Sequence, residues 1–223
     1  MRLGILGGTF NPIHLGHLRL AEELTETLAL DRILFVPAGQ PPLRPPGSVL
    51  PALHRYTMIA LGTAGKPRFV LSDVECRRPG PSYSVDTLEE IHAALGGSAR
   101  LFVILGSDAF LTFPQWREPQ RLTKHAALVL VPRGAVELNP GAADVTAINA
   151  LLGHPRWLTA AGHGVPAPEP GDVLVARVTS LPISAREIRL RIRAGEPIRG
   201  MVPAFVEEYI QKHGLYREDP PSV

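Results

Sequence analysis

The chain has 223 residues, is 45% apolar and 20% charged, and carries a formal net charge of +2, the profile of a globular protein large enough for one sizeable core. So small a charge demands neither a nucleic-acid nor a membrane partner, and no stretch approaches the roughly 20 apolar residues of a membrane span. Cys76 is the only cysteine, which excludes an intrachain disulfide and makes a reducing cytoplasm the expected compartment. The first apolar run is broken by Gly7-Gly8-Thr9 too early for a signal peptide.

In chain order, short apolar runs alternate with helical patterns, which predicts an α/β protein around a parallel sheet. Leu3–Leu6 reads as a buried strand. Leu15–Leu30 follows as a helix with Leu18, Ala21, Leu24 and Leu28 on one face. Arg32–Val36 is the next strand, and a Pro-rich loop runs from Ala38 to Val49. Pro51–Ala64 reads as helix, Phe69–Val74 as extended, and Val85–Leu95 as helix. Leu101–Leu105 and Ala127–Val131 are strands, and an apolar helical stretch follows Gly106-Ser107-Asp108. From Gly134 to Gly171 the pattern weakens, with a helix at Ala143–Leu152 and a Gly/Pro/Ala-rich surface excursion at Gly162–Gly171. Val173–Val178 returns to the sheet, and helices at Ser184–Ala194 and Pro203–His213 follow. Neither repeat nor linker is evident, which predicts one domain over residues 1–217 and a frayed tail from Arg217.

Cys76 has no evident catalytic partner and reads as a small buried hydrophobe. Lysine occurs only at Lys66, Lys124 and Lys212, so 20 of the 23 basic residues are arginine. A GC-rich coding sequence would produce that bias, which also suits bidentate phosphate recognition.

The polar residues with chemical potential fall where strands end and helices begin, the position at which open parallel sheets bind ligands. In Gly7-Gly8-Thr9-Phe10-Asn11-Pro12-Ile13-His14-Leu15-Gly16-His17, the i, i+3 spacing puts two histidines on neighbouring positions of a helix start. A zinc reading needs a third ligand, and a zinc protease shows H-E-x-x-H in mid-helix. Here Leu15 follows His14 and Gly16 precedes His17. A glycine loop at a helix N-terminus favours an anion, and Gly16 permits close approach of a flat ligand. The loop is neither a lysine-bearing phosphate loop nor a dinucleotide fingerprint. Either histidine could alternatively cap or pack.

Ser184 with Glu187 three residues on forms a capping box. Its hydroxyl and a nearby guanidinium suit polyphosphate, or they are only a cap and a solvated helix. Asp108 could hold a ribose hydroxyl or a magnesium-bound water, or it could cap the following helix. Trp116, in Thr112-Phe113-Pro114-Gln115-Trp116, is either core or ligand platform. Pro81-Ser82-Tyr83-Ser84-Val85-Asp86-Thr87 is a polar turn into a helix.

The first of these stretches has the G-x-F-x-P-x-H-x-G-H pattern of the HxGH nucleotidylyltransferases, and Ile183-Ser184-Ala185 through Arg189 resembles their second motif. Pro81-Ser82-Tyr83-Ser84, Gly106-Ser107-Asp108, Thr112 to Trp116 and Gly214-Leu215-Tyr216 resemble the bacterial nicotinate-mononucleotide adenylyltransferases. The resemblance spans residues 3 to about 217. It implies a Rossmann-like, doubly wound parallel sheet and transfer of AMP from ATP to nicotinate mononucleotide, with pyrophosphate released. It implies that His14 and His17 stabilise charge on the α-phosphate, while Gly7, Gly8, Thr9, Phe10, Gly16, Arg44, Ser184 and Arg189 bind ATP. Trp116 would stack on the pyridine ring, the backbone at Ser84 and Val85 would read its carboxylate, and Asp108 would lie near the ribose. Magnesium would accompany ATP, with no metal site in the protein itself.

The implied partners are these small molecules, with neither nucleic acid nor membrane, and a homo-oligomer is compatible. Acceptors such as nicotinamide mononucleotide or phosphopantetheine, or a nucleotide-binding regulator without turnover, are the alternatives. Two positions depart from the family pattern. Leu43 stands where a histidine is usual, before Arg44, and Arg186 stands where the second motif has Ser or Thr.

Overall fold

Strands rich in branched and aliphatic residues assemble into one seven-stranded sheet in the computed structural model, which describes residues 1–45, 47–132, 140–160 and 168–217. The strands are β1 (Arg2–Gly8), β2 (Arg32–Pro37), β3 (Phe69–Leu71), β4 (Arg100–Gly106), β5 (Ala126–Val131), β6 (Trp157–Ala160) and β7 (Val173–Ala176), in the order β3-β2-β1-β4-β5-β7-β6. The pairs β1–β4, β4–β5, β5–β7 and β6–β7 are all parallel, with Ile5 opposite Val103 and Val103 opposite Leu128. All six residues of β5 are buried, the continuous apolar run expected of a parallel strand covered on both faces. The strand order reverses between β1 and β4, as in doubly wound α/β folds.

The helices are α1 (Leu15–Thr27), α2 (Ala52–Thr63), α3 (Val74–Arg77), α4 (Ser84–Ala94), α5 (Ser107–Leu111), α6 (Pro119–Leu122), α7 (Ala143–Leu151), α8 (Ala185–Arg193) and α9 (Ala204–Lys212), with a 3-10 turn at Phe113–Gln115. The contacts divide the chain into two compact units. The first comprises Met1–Gly7, Glu23–Leu34 and Tyr83–Thr179; the second comprises Gly8–Glu22, Phe35–Ser82 and Ser180–Val223. In the first, Leu101, Phe102, Leu128, Leu130, Phe110 and Val173 are buried. Gly4 lets β1 lie flat there, because a Cβ would come 2.9 Å from Leu30 and 3.1 Å from Ile33 and Ile104. In the second, Ile13, Phe35, Met58, Ile59, Val206 and Ile210 are buried.

Most predicted elements lie within a residue or two of their observed bounds; α1 ends at Thr27, three residues before the expected Leu30, and two further stretches differ. Phe69–Val74 is not one extended stretch: the strand stops at Leu71, and Val74 opens α3, its N–H donating to Ser72 Oγ at 3.3 Å. Inside the weakly patterned Gly134–Gly171 region, Trp157–Ala160 is a strand pairing with β7. Residues 133–139 and 161–167 of that region lie outside the described residues, as does 218–223 of the expected tail. Cys76 is half-buried rather than buried, its thiol 3.7 Å from the Pro37 carbonyl, and burial pushes the thiol pKa upward.

Asp172 ties this sheet edge together. Its carboxylate accepts from Arg156 Nε at 3.0 Å and Nη2 at 2.5 Å and from the Glu169 N–H at 2.8 Å. The adjoining backbone bonds run from Val173 N to Arg156 O and from Leu128 N to Asp172 O. The Arg156 bonds, helped by the Glu169 amide and opposed by partial burial, hold the Asp172 carboxyl below the ordinary carboxylate range. A group depressed in the folded state stabilises fully above its unfolded pKa and loses that contribution as pH falls through the folded value. Arg156 is half exposed, so solvent screening limits the gain. Asp172→Asn should cost about 1–2 kcal/mol at pH 7, and the deficit should shrink below about pH 3, measured by urea unfolding at both pH values.

Candidate active site

In the second unit the chain leaves β1 at Gly8, whose carbonyl accepts from the Ala38 N–H at 2.9 Å. Phe10 then takes the left-handed conformation, φ 47°, rare for a residue with a bulky side chain. What this achieves is visible in the packing. The Phe10 ring is buried 5.0 Å edge-on from His17 and 6.0 Å from Phe35. Gly8 accommodates the same ring, since a Cβ there would lie 3.3 Å from it, whereas a Cβ on Gly7 would meet nothing within 4 Å.

His14 and His17 form a helix start in which one interaction does two jobs. The His14 carbonyl accepts from the His17 N–H at 3.0 Å, and the His14 N–H donates to His17 Nδ1 at 3.3 Å. His17 is the third residue of α1, so its ring takes the part a Glu or Gln side chain plays in a capping box. An Nδ1 that accepts this bond places the proton of the neutral ring on Nε2. The two rings stack, centroids 3.7 Å apart at 30°. Gly16 makes room for them: a Cβ there would lie 3.0 Å from His14 Nδ1 and 3.1 Å from its Cε1. The flat group that Gly16 admits in this structure is therefore the His14 ring.

Asn11 is buried. Its Oδ1 accepts from Tyr216 Oη at 2.9 Å and the Leu50 N–H at 3.4 Å, and its backbone carbonyl accepts from Arg189 Nη1 at 2.7 Å. Arg189 is half-buried, and its pKa is drawn down first by that burial and then by the charges of Arg193, Arg44 and Arg186. Arg186 and Arg189 share a face of α8 at i, i+3 spacing, while Arg191 pairs with Glu187 at 2.8 Å. Ser184 caps α8, its Oγ accepting from the Glu187 N–H at 3.1 Å. The capping box is only half made, because the Glu187 carboxylate turns to Arg191. The Ser184 O–H keeps its donor capacity. Arg44 and Leu43 are exposed in the loop after β2.

Arg55, which the sequence reading passed over, is a second organiser of this unit. It is 0% exposed and donates to three carbonyls, Leu50 at 2.8 Å, Thr9 at 2.9 Å and Gly39 at 3.1 Å. The signal was present: Arg55, Met58, Ile59 and Gly62 are the buried face of α2, and a charge on an apolar stripe demands partners. Ser82, quoted only as part of a polar turn, is buried and its Oγ accepts from the Gly39 and Gln40 amides at 2.9 and 3.2 Å. Gly39 tolerates no side chain, since a Cβ would come 2.2 Å from the Glu75 carbonyl.

The first unit holds the remaining candidates. Ser84 and Val85 begin α4 after Tyr83, which makes no side-chain cap, so their amides lack intrahelical acceptors. Trp116 is half-buried, its Nε1 donating to Thr112 Oγ1 at 3.3 Å and its ring 5.2 Å from Phe113. Arg117 lies over the Tyr83 ring at 4.9 Å and pairs with Asp86 at 3.4 Å. Asp108 is exposed in the first turn of α5, whose cap is Gly106. Among the described residues, no group of three or more His, Cys, Asp or Glu side chains is placed to hold a metal ion, and no helix is long and apolar enough to cross a membrane.

Known proteins resemble this chain in sequence and in fold. Residues 5–191 match the cytidylyltransferase-like family. A protein of Thermomicrobium roseum named "Probable nicotinate-nucleotide adenylyltransferase" is 42% identical over 97% of this chain and 92% of its own length. One of the same name from Thermus thermophilus is 42% identical over 97% of this chain and all of its own. In fold, the chain resembles Plasmodium falciparum nicotinic acid mononucleotide adenylyltransferase complexed with NaAD, with a TM-score of 0.72, 18% identity, and 96% and 97% of the two chains covered.

Gly16→Ala is expected to push the His14 ring out of its stack, because the added methyl has about 3 Å to a ring that needs more. Turnover should fall at least about tenfold, while the melting temperature changes by no more than about 2 °C, read by steady-state kinetics and calorimetry on one preparation.

Proposed function

The chain belongs to the cytidylyltransferase-like family and, within it, to the nicotinate-nucleotide adenylyltransferases, and from that premise we propose how its residues transfer AMP from ATP to nicotinate mononucleotide. An oxygen of the acceptor's 5′-phosphate bonds to the α-phosphorus of ATP. The bond from that phosphorus to the bridging oxygen breaks, deamido-NAD forms and pyrophosphate leaves. The attacking monoester is already a dianion near neutral pH, so positioning and charge stabilisation do most of the catalytic work.

The observation that carries this reading is the stacked His14–His17 helix start, where His14 N–H to His17 Nδ1 bonding leaves Nε2–H as a donor. On the α-phosphate, that donor strengthens its bond as negative charge builds in the transition state. Gly7, Gly8, Thr9, Phe10 and Gly16 shape the nucleotide loop. Arg189 has one amine on the Asn11 carbonyl and offers its remaining donors, with the Ser184 O–H and Arg44, to the β- and γ-phosphates. Arg186 adds charge near Arg189, and an anion held among these guanidinium groups relieves their mutual repulsion. Trp116 receives the pyridine ring, the Ser84 and Val85 amides take its carboxylate, and Asp108 accepts from a ribose hydroxyl.

Magnesium, as the partner of the ATP phosphates, supplies further charge neutralisation. It would enter with the nucleotide and be held by the ATP phosphate oxygens. The setting we propose is the cytoplasm, within one catalytic domain over residues 1–217.

Pyrophosphate release with ATP, magnesium and a panel of acceptors tests the reading. Nicotinate mononucleotide should be preferred. Preference for nicotinamide mononucleotide or phosphopantetheine would move the chain to a sibling activity, and ATP binding without any product would make it a regulator. His17→Ala should lower kcat by about 10²–10³ while the KM for ATP changes less than about threefold. Equal losses in both would show that His17 only binds the nucleotide.

A further inference from the structure

We propose that Arg55 is a positioning residue for the nucleotide, holding the glycine loop and the Arg44 loop in their binding geometry; this rests on the ATP-binding roles proposed above. The guanidinium is fully enclosed within the second unit, on the apolar face of α2 beside Met58 and Ile59. Burying a charge there is costly, and an unbranched apolar side chain of similar length would pack without that cost. A requirement other than packing therefore selects the arginine.

Its three contacts identify that requirement. Nη1 binds the Thr9 carbonyl, between Gly8 and the left-handed Phe10. Nη2 binds the Gly39 carbonyl and Nε binds the Leu50 carbonyl, so the two ends of the segment bearing Arg44 are gripped by one planar group. Other bonds complete the clamp: Ser82 Oγ accepts from the Gly39 N–H, and Asn11 Oδ1 accepts from the Leu50 N–H. No neutral side chain presents several donors in one rigid fork, and a lysine ammonium lacks the planar reach to span three divergent carbonyls. Burial is the first influence on the Arg55 pKa and lowers it, with Cys76, Tyr216 and Glu75 acting in the opposite sense.

The test compares wild type, Arg55→Ala and Arg55→Lys. It measures ATP affinity by calorimetry without acceptor, the KM for nicotinate mononucleotide, kcat, and the melting temperature. Arg55→Ala should bind ATP at least about 30-fold more weakly, leave the acceptor KM within about threefold, and recover at least about tenfold in affinity with ethylguanidinium, which refills the vacated fork. Arg55→Lys, which keeps the charge and loses the fork, should fold and bind ATP about tenfold more weakly, so it decides the matter if Arg55→Ala does not fold. Unchanged ATP affinity in Arg55→Lys overturns the proposal. So does a loss in Arg55→Ala that ethylguanidinium does not reverse, or one matched by the acceptor KM. Wild type that binds no ATP refutes the underlying reading; wild type and variants that bind it equally refute only the role of Arg55.

Discussion

A loop that turns sharply at the end of a strand exposes carbonyls and amides that the sheet no longer satisfies, and the second unit is organised around meeting that demand. Asn11 is the centre of it. One side-chain oxygen takes the Tyr216 hydroxyl and the Leu50 amide, while the backbone carbonyl takes Arg189. Segments from the start, middle and end of the chain are thereby joined through a single asparagine. Tyr216 is buried, which raises its hydroxyl pKa well above the ordinary range, so it stays a neutral donor to Asn11 at any physiological pH. The arginine reaching Asn11 is also a candidate phosphate ligand, so the fold and the proposed site draw on the same side chain.

The same economy governs the start of α1. A helix N-terminus needs acceptors for its first amides, and here His17 Nδ1 accepts from the His14 amide. That local bond fixes which ring nitrogen carries the proton, and the stacking of His14 at 3.7 Å restrains the ring plane. In the role proposed for it, His17 therefore has its Nε2–H outside this helix-start bond and can offer it to the α-phosphate.

Against this background, what the sequence revealed and what it withheld follow from the range of the interactions involved. The strands of the parallel sheet are continuous apolar runs such as Ala126–Val131, and the glycine loop and the Ser184 cap have local signatures, so these were legible. Trp157–Ala160 was not, because the four residues of this strand lack alternation and their pairing is set by β7, not by their neighbours. The turn at Val74 was hidden because its apolar residue continues the preceding strand pattern, although the Val74 N–H already turns back to Ser72 Oγ two residues earlier. The Ser184–Glu187 box was half right, since a sequence pattern cannot weigh Arg191 as a competing partner four residues on.

Arg55 marks the limit most sharply. Its position on the apolar stripe of α2 announces that it is buried, but nothing nearby in the chain announces why. Its partners lie at Thr9, Gly39 and Leu50, and Thr9 is 46 residues away. Backbone carbonyls carry no sequence signature at all, so a side chain chosen to satisfy them looks like an error in the hydrophobic pattern. Such an apparent error is informative, because desolvating a guanidinium costs more than an apolar substitution would. A charged residue that violates an otherwise clean apolar face therefore points to loops whose shape the fold must hold, and in this chain those loops carry the nucleotide motif and Arg44.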